Sequence, residues 1–209
     1  MGFNIKNIAV HHYGATNKAS SMAYLQETDI NAMHKQRWSD FPSELSKSYI
    51  GYNIIIFQDS WKQFRYIGEE TAANKGFNFD TVSICLAGNF SKESPDKPNY
   101  YQTTILKKIC EALLDGHPER MGLKVKEGTN INISLSRILP HRRFSTTPTE
   151  CYGDSMNDLW VQKLLASKQP TREQLLLQLR DLLQVYFKLL AKKQLRGVGS
   201  SCVSSNERG

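Results

Sequence analysis

Ile50-Gly-Tyr-Asn-Ile-Ile-Ile-Phe57 is the strongest β-strand signal in this chain of 209 residues. It ends in four consecutive apolar residues, and three of these are isoleucine, whose branched side chain favours extended backbone. Residues 63–67 follow the turn residues Asp59 and Ser60, and they predict the second strand of a hairpin. The fold is therefore expected to be built around a sheet that contains residues 50–57.

Further strand and helix signals alternate along the chain on both sides of this hairpin. Buried strands are predicted at residues 5–10, 81–87 and 131–135. Helices are predicted at residues 28–37, 101–115 and 155–166. Such alternation is typical of α/β proteins. We therefore expect a central mixed β-sheet flanked by helices, in a domain that spans residues 1–167.

Residues 168–209 differ in composition from the rest of the chain. Residues 167–174 predict a hinge, residues 175–190 carry leucines at helical spacing, and residues 197–209 predict disorder. The segment 168–209 holds eight of the 27 basic residues and three of the 20 acidic ones, so it carries +5 of the net charge of +7. We expect a C-terminal amphipathic helix appendage, whose residues 175–190 dock on the domain or mediate self-association rather than contact a membrane.

Charge and hydropathy restrict the function and the compartment. The nearly neutral charge of residues 1–167 argues against a nucleic-acid-binding domain. Residues 1–10 contain no long apolar run, so no signal peptide is expected. Charged residues interrupt the apolar stretch at 175–190, which argues against an integral membrane segment. The spacing of the four cysteines predicts no disulfide framework. Together these features predict a cytoplasmic location at synthesis.

The loop of residues 139–153 carries two residue types that bind zinc. His141 and Cys151 lie ten positions apart on this loop. A catalytic zinc usually takes three protein ligands and leaves one position for water. His11 is the third candidate, because it directly follows the predicted first strand. Taken singly, each residue has an ordinary alternative: a polar histidine at a strand end, a surface histidine or a buried thiol.

Four motifs occur in a fixed order: HHYGAT, IGYNIII, VSICLAGNF and HRRF followed by TPTECYG. Together they resemble the zinc-dependent N-acetylmuramoyl-L-alanine amidases of type 2, which include phage lysozyme-amidases and animal peptidoglycan recognition proteins. The resemblance covers roughly residues 5–166. It implies that residues 1–167 form a zinc amidase domain. It also implies Zn²⁺ as the cofactor and peptidoglycan or muropeptide as the substrate, hydrolysed between the lactyl group and L-alanine.

The resemblance also implies roles for individual residues. The implied zinc ligands are His11, His141 and Cys151. Tyr52, in the Gly-Tyr-Asn motif, is implied to lie beside the zinc-bound water. Thr149 precedes the last ligand by two positions and is a candidate oxyanion donor, a role that Tyr52 could share. Tyr52 could instead orient the water or relay a proton to the leaving amine.

Substrate contacts and departures from the family pattern complete this picture. His12, Asn74 and Arg142 are expected to contact the substrate or line its cleft. Arg143 stands where many relatives have aspartate, and residues 72–75 contain no histidine where many relatives carry one. Cys85 stands where some relatives use glutamate as a general base. Proton transfer is therefore expected to depend more heavily on Tyr52.

The resemblance leaves several functions open. The favoured one is a phage or prophage endolysin that acts on the cell wall after release, and an alternative is a cytoplasmic enzyme that recycles muropeptides. A binding module of the same fold would recognise peptidoglycan fragments without cutting them. A thiol hydrolase would use Cys151 as nucleophile and His141 as base.

Overall fold

The computed structural model of this chain describes residues 2–14, 17–146 and 149–167, together with residues 180 and 183. Apart from the last two, these residues belong to one compact unit, Met1–Ser167. The predicted hinge, leucine-rich helix and tail lie outside the described residues, and the predictions about them stay predictions. Among the helices that the structure describes, none has both the length and the apolar character needed to cross a bilayer.

A five-stranded mixed sheet forms the centre of this unit. Its strands are β2 (Asn7–His12), β3 (Ile54–Ile56), β4 (Trp61–Gln63), β5 (Thr81–Leu86) and β7 (Ile138–Pro140). They lie in the order β4-β3-β5-β2-β7. All neighbours are parallel except β3 and β4, which form the predicted antiparallel hairpin. Two short strands, β1 (Asn4–Ile5) and β6 (Asn130–Ile131), pair separately.

Successive strand residues point their side chains to opposite faces of the sheet, and both faces are apolar here. Helices therefore cover both faces. On one face, β-strand residues pack with α2 (Tyr100–Leu114) and α3 (Trp160–Ala166) in a large apolar cluster. On the other face, Ile55 and Cys85 pack with Ile30 of α1 (Glu27–Arg37) in a smaller cluster. The expected α/β architecture is confirmed for the described unit.

Four element predictions need correction. The hairpin strand expected at residues 63–67 is β4 (Trp61–Gln63), so the two ranges share only Gln63. The strand expected at residues 131–135 is misplaced, because the last strand of the main sheet is β7. Residues 50–53 precede β3, which begins at Ile54, and the Gly51 amide donates to the His34 side chain instead of a neighbouring strand. The helix expected from residue 155 begins at Trp160. The predicted helices 28–37 and 101–115 agree with α1 and α2 to within one residue.

The parallel arrangement places the carboxyl ends of β2, β5 and β7 at one edge of the sheet. In the register, His11 lies opposite Cys85, and Val10 lies opposite Pro140. The residue after Pro140 is His141, so the chain leaves β7 beside the end of β2. Sheet pairing therefore brings His11 and His141 together although 130 positions separate them in the sequence.

Candidate metal centre and cleft

His11, His141 and Cys151 converge at this edge of the sheet. Each offers one ligand atom, and these atoms lie within 4.8 Å of one another. Cys151 Sγ lies 3.8 Å from His11 Nδ1, and the two imidazole rings have centroids 4.4 Å apart. A tetrahedral zinc with a sulfur at about 2.3 Å and a nitrogen at about 2.0 Å separates those two ligand atoms by roughly 3.5 Å. The three side chains therefore fit a zinc ion.

The protonation of the two histidines also suits metal binding. Burial, followed by the charge of His141, holds the pKa of His11 well below its usual value, while a hydrogen bond with the Asn74 side chain acts in the opposite direction. Burial likewise lowers the pKa of His141 to about 4. Both imidazoles are therefore neutral near pH 7 and can offer a lone pair.

Cys151 needs a cation to become a thiolate. Burial raises the pKa of its thiol to about 12, although the hydrogen bond from the His12 amide to Sγ, 3.4 Å long, and the charge of Arg142 lower it. A bound metal ion removes the proton from such a thiol. The site therefore combines two neutral imidazoles with one thiol that ionises when a cation binds.

A cleft of about 880 Å³ opens beside these three side chains. Its walls combine apolar and charged groups. The apolar lining residues are Met22, Met33, Trp38 and Phe41, and the polar ones include Arg37, Glu70, Lys75 and Asn78. Such a mixture of aromatic surface and a few charged groups suits a ligand that carries both apolar and ionised parts.

Tyr52 lines the cleft next to the donor site. Its ring centroid lies 5.1 Å from that of His11. Burial, followed by the nearby thiols of Cys85 and Cys151, raises the pKa of Tyr52 well above its usual value. The phenol therefore keeps its proton at neutral pH and can donate a hydrogen bond. The tyrosine of the Gly-Tyr-Asn motif therefore lies beside His11, and its position next to a zinc-bound water stays a prediction.

Residues 1–154 match the family model Amidase_2, N-acetylmuramoyl-L-alanine amidase. The chain belongs to this family. A search of curated proteins finds no match.

Solved structures with this amidase fold include three that match at TM-scores above 0.5. The endolysin amidase LysCS from Clostridium intestinale URNW is 20% identical, with a TM-score of 0.54 over 79% of this chain and 86% of that one. LysC from the same organism is 21% identical, with a TM-score of 0.52 over 79% and 88%. The Ph2119 endolysin from Thermus scotoductus MAT2119 bacteriophage Ph2119 is 17% identical, with a TM-score of 0.54 over 79% and 87%. At these identities the similarity establishes the fold.

His12 and His34 are two further histidines of this amidase-family cleft. His12 Nδ1 accepts a hydrogen bond from the Phe90 amide at 2.9 Å, and His34 Nδ1 accepts one from the Gly51 amide at 3.1 Å. Burial lowers the pKa of each to about 4. Each is therefore neutral with its proton on Nε2. His12 lies on the cleft wall as expected, and its contact with substrate stays a prediction.

His34 of α1 was not among the residues predicted for the site. It is only 7% exposed, yet it lines the cleft, and its ring lies 5.5 Å from that of Tyr52. A histidine on one face of a predicted helix gives no indication of this position. The contact that places it there, with the Gly51 amide, joins residues 17 positions apart and depends on the fold.

Arg142 holds the loop that carries Cys151 and is not among the described residues that line the cleft. Its backbone amide donates to the Cys151 carbonyl at 2.8 Å, and its guanidinium donates to the Gly153 and Met156 carbonyls at 3.0 and 2.7 Å. Its Nε lies 2.6 Å from a carboxylate oxygen of Asp158. The expected contact between Arg142 and substrate is therefore replaced by a structural role.

Arg143 pairs with the same carboxylate of Asp158. Partial burial alone would raise the pKa of Asp158, but hydrogen bonds and charge from Arg142 and Arg143 lower it. Asp158 therefore stays ionised and joins both arginines. Arg143 therefore has an acidic partner in this chain.

Gly153 and Thr149 flank Cys151 on this loop. Gly153 has a φ of +95°, and a Cβ there would lie 2.2 Å from the Phe90 carbonyl oxygen, so no larger residue fits. The Thr149 hydroxyl accepts a hydrogen bond from the Cys151 amide at 3.3 Å. This contact places Thr149 beside the last ligand, and its role as an oxyanion donor stays a prediction.

Asn74 lies beneath the cleft rather than on its wall. Its side chain is fully buried, and it is not among the described residues that line the cleft. Its amide donates to Ser83 Oγ at 2.5 Å. Asn74 was expected to contact substrate, but its burial leaves no surface for that contact in this structure.

Proposed function

We propose that this protein is a zinc-dependent N-acetylmuramoyl-L-alanine amidase that cleaves peptidoglycan between the lactyl group and L-alanine of the stem peptide. The observation that carries the proposal is the convergence of His11, His141 and Cys151 beside a cleft of about 880 Å³ in a member of this family. Zinc takes such a set of two histidines and one cysteine in catalytic sites and leaves its fourth position open.

The three ligand side chains would hold the ion. When bound, zinc supplies a Lewis acid for the amide carbonyl and a water whose pKa is about 7. The His12 amide, which donates to Cys151 Sγ at 3.4 Å, partly balances the negative charge of the thiolate.

Tyr52 would be the protein group that donates a proton or stabilises negative charge during the reaction. Its phenol stays protonated at neutral pH and lies beside His11. It can donate a hydrogen bond to the oxyanion that forms when the amide carbonyl is attacked, or a proton to the leaving amine of L-alanine. We propose Thr149 as a second donor to the same oxyanion.

The lining of the cleft suits a muropeptide. Arg37 and Lys75 place positive charge where a stem peptide could bring its carboxylates, while Trp38 and Phe41 offer aromatic surface. Aromatic rings pack against the apolar faces of a ligand, and cationic groups attract its carboxylates. We propose that His12 contributes its Nε2–H to the same substrate.

The thiol-hydrolase alternative fits the site less well. A cysteine nucleophile needs a lowered thiol pKa and a neighbouring histidine that accepts its proton. Here burial raises the pKa of Cys151 to about 12 and lowers that of His141 to about 4. The thiolate–imidazolium pair is therefore disfavoured, whereas neutral ligands around a cation are favoured.

The test is hydrolysis of purified muropeptides by the full chain, followed through the release of free L-alanine amino groups. We expect activity that is abolished by a chelator and restored by zinc. The Cys151→Ala variant should be inactive, while Cys110→Ala, which removes a buried thiol in α2, should keep its activity. Muropeptide binding without new amino groups would identify a binding module instead, and activity that is indifferent to chelators would identify a thiol enzyme.

We further propose that the protein acts as an endolysin on whole cell walls. Two of the similar solved structures are named as endolysins, and this supports whole walls as the first substrate to examine. Rates on intact peptidoglycan and on small soluble muropeptides should be compared. Hydrolysis of small fragments alone would favour the recycling enzyme over an endolysin.

A further inference from the structure

A chain of hydrogen bonds links Asn78, on the loop beneath the cleft, through Thr71 and Ser83 to the buried side chain of Asn74. Asn74 and Ser83 are fully buried, and Thr71 is 1% exposed. Asn74 Nδ2 donates to Ser83 Oγ at 2.5 Å, and Ser83 Oγ lies 3.4 Å from Thr71 Oγ1. Thr71 Oγ1 in turn lies 3.2 Å from Asn78 Oδ1. The proposed chemistry uses none of these four polar side chains.

The donor and acceptor roles along this chain are set at the Asn78 end. The backbone amide of Asn74 lies 2.7 Å from the Asn78 side chain. A backbone amide can only donate, so the Asn78 atom that it faces must be the carbonyl oxygen. The same oxygen therefore accepts the hydroxyl proton of Thr71.

A hydroxyl group has one proton to donate, so one that donates to the next group must accept a hydrogen bond from the group before it. Thr71 donates to Asn78 and must accept from Ser83. Ser83 donates to Thr71 and must accept from the NH₂ group of Asn74. The carbonyl oxygen of Asn74 is then the atom left at the end of the chain.

Two buried atoms near this end have no hydrogen-bond partner of ordinary geometry among the described residues. They are Asn74 Oδ1 and His11 Nε2. Ser83, which accepts from Asn74, lies opposite Ala9 in the sheet, and the side chains of Ala9 and His11 point to the same face because the two residues are two positions apart. The Asn74 side chain therefore lies on the face of the sheet that carries His11, in keeping with its effect on the pKa of His11. Leaving two buried polar atoms unpaired would be costly, which favours a hydrogen bond between them.

We propose that Asn74 is a positioning residue that accepts a hydrogen bond from His11 Nε2–H and thereby keeps the Nδ1 lone pair directed at the metal. Nδ1 is the ring atom that faces Cys151 Sγ at 3.8 Å. Partners of this kind fix the tautomer and the ring orientation of a metal-binding histidine. The proposal rests on the zinc site of the proposed function but not on the reaction.

The decisive variants differ in whether they keep the acceptor. Asn74→Leu removes it while keeping the number and branching of the side-chain heavy atoms, and it should weaken zinc binding about 10- to 100-fold. Asn74→Asp keeps an acceptor oxygen and should bind zinc within about tenfold of the wild type. Affinity is measured by competition with a chromophoric chelator.

Asn7 offers a matched control at the start of β2, the strand that ends with His11 and His12. It is also fully buried, and its Nδ2 donates to Thr81 Oγ1 on β5 at 3.3 Å. Asn7→Leu removes a comparable hydrogen bond far from the donor site, so its zinc affinity should equal that of the wild type. Equal affinities of Asn74→Leu and Asn7→Leu would overturn the proposal, as would a loss in Asn74→Asp as large as that in Asn74→Leu.

A second measurement needs no variant and no metal. In ¹⁵N NMR spectra of the zinc-free wild-type protein, His11 should carry its proton on Nε2 and show slow exchange of that proton with solvent. A proton on Nδ1 would overturn the inference. Failure of the wild type to bind zinc would contradict the proposed function instead, and the tautomer would still decide this inference.

Discussion

The two halves of the donor site are held in place by different means. His11 is 2% exposed and belongs to β2, which is paired with β5 on one side and β7 on the other. Cys151 lies on a loop, and the position of that loop depends on Arg142 and Gly153. The first half is therefore positioned by backbone pairing, whereas the second is positioned by side-chain contacts and by one glycine.

This difference predicts which property a substitution in each half should change. Apart from Asn74, which we propose orients the His11 ring, changes near His11 leave the strand and the ligand atoms in place, so they should alter the chemistry while stability and zinc content remain close to wild type. Changes around Cys151 move a ligand, so they should reduce zinc binding and stability together. The following predictions, from the largest expected effect to the smallest, test this division.

The largest expected effect is on turnover, in Tyr52→Phe. Loss of the phenol removes a donor to the oxyanion or the leaving amine, and kcat should fall about 10²- to 10³-fold. Zinc affinity should remain unchanged, because Tyr52 is not a ligand. Steady-state kinetics and zinc titration check both parts.

Tyr152→Phe is the matched substitution in the loop half. Tyr152 is fully buried, and its hydroxyl donates to the Asn157 carbonyl at 2.8 Å. Loss of this bond should lower the free energy of unfolding by about 1 kcal/mol, with kcat close to wild type. If both variants lost turnover equally, the division between the two halves would not hold.

Gly153→Ala should be the most destabilising change in the loop half. A Cβ would lie 2.2 Å from the Phe90 carbonyl oxygen, and alanine is strained at a φ of +95°. We expect a loss of about 1–3 kcal/mol in unfolding free energy, together with weaker zinc binding, because Cys151 must shift. Gly116→Ala is the control, since its φ is +71° but no atom lies within 4 Å of the added Cβ. A similar zinc affinity for both variants would contradict the proposed dependence of Cys151 on Gly153.

Asp158→Asn should have a smaller effect in the same direction. It removes the charge that joins Arg142 and Arg143, whose hydrogen bonds hold the Cys151 loop. Hydrogen bonds to charged groups contribute about 1.5–3 kcal/mol, and partial exposure reduces this figure. Thermal unfolding should show a loss near the lower end of that range. Asp115→Asn, which breaks an exposed ion pair with Arg120, should change stability by less than about 1 kcal/mol.

Sequence reasoning found the elements that depend on local pattern. The α/β class, both long helices and the hairpin follow from apolar spacing, and the three metal-binding candidates follow from residue type and motif order. The last strand was misplaced because residues 131–135 alternate more regularly than Ile138–Pro140, although only Asn130 and Ile131 form strand pairs. Strand pairing is a long-range property that local pattern does not settle.

The roles of Arg142, Asn74 and His34 could not be predicted for a related reason. Each depends on the direction of a side chain in the folded protein. Arg142 could face the cleft or its own loop, and the position of Asp158 decides between them. Asn74 could line the cleft or lie beneath it, and the hydroxyl of Ser83 decides. Sequence spacing does not encode these partners.

A further prediction, outside this order, concerns how the stability of the zinc-free protein depends on pH. Burial lowers the pKa of His12, His34 and His141 to about 4, from about 6.5 in an unfolded chain. Between these values the unfolded state binds more protons, so stability should fall as the pH falls from about 6.5 and level off below about 4. Each histidine contributes a slope of at most about 1.4 kcal/mol per pH unit. Urea unfolding across this range checks the sign, and stability that rises on acidification would contradict it.

The ligand set of the bound zinc is the central claim, and X-ray absorption spectroscopy of the zinc-loaded protein tests it most directly. The account predicts one sulfur at about 2.3 Å and two imidazole nitrogens at about 2.0–2.1 Å. The sulfur should be absent from the spectrum of Cys151→Ala. A zinc shell without sulfur in the wild type, or a sulfur that persists in Cys151→Ala, would contradict the assignment of His11, His141 and Cys151 as the metal centre.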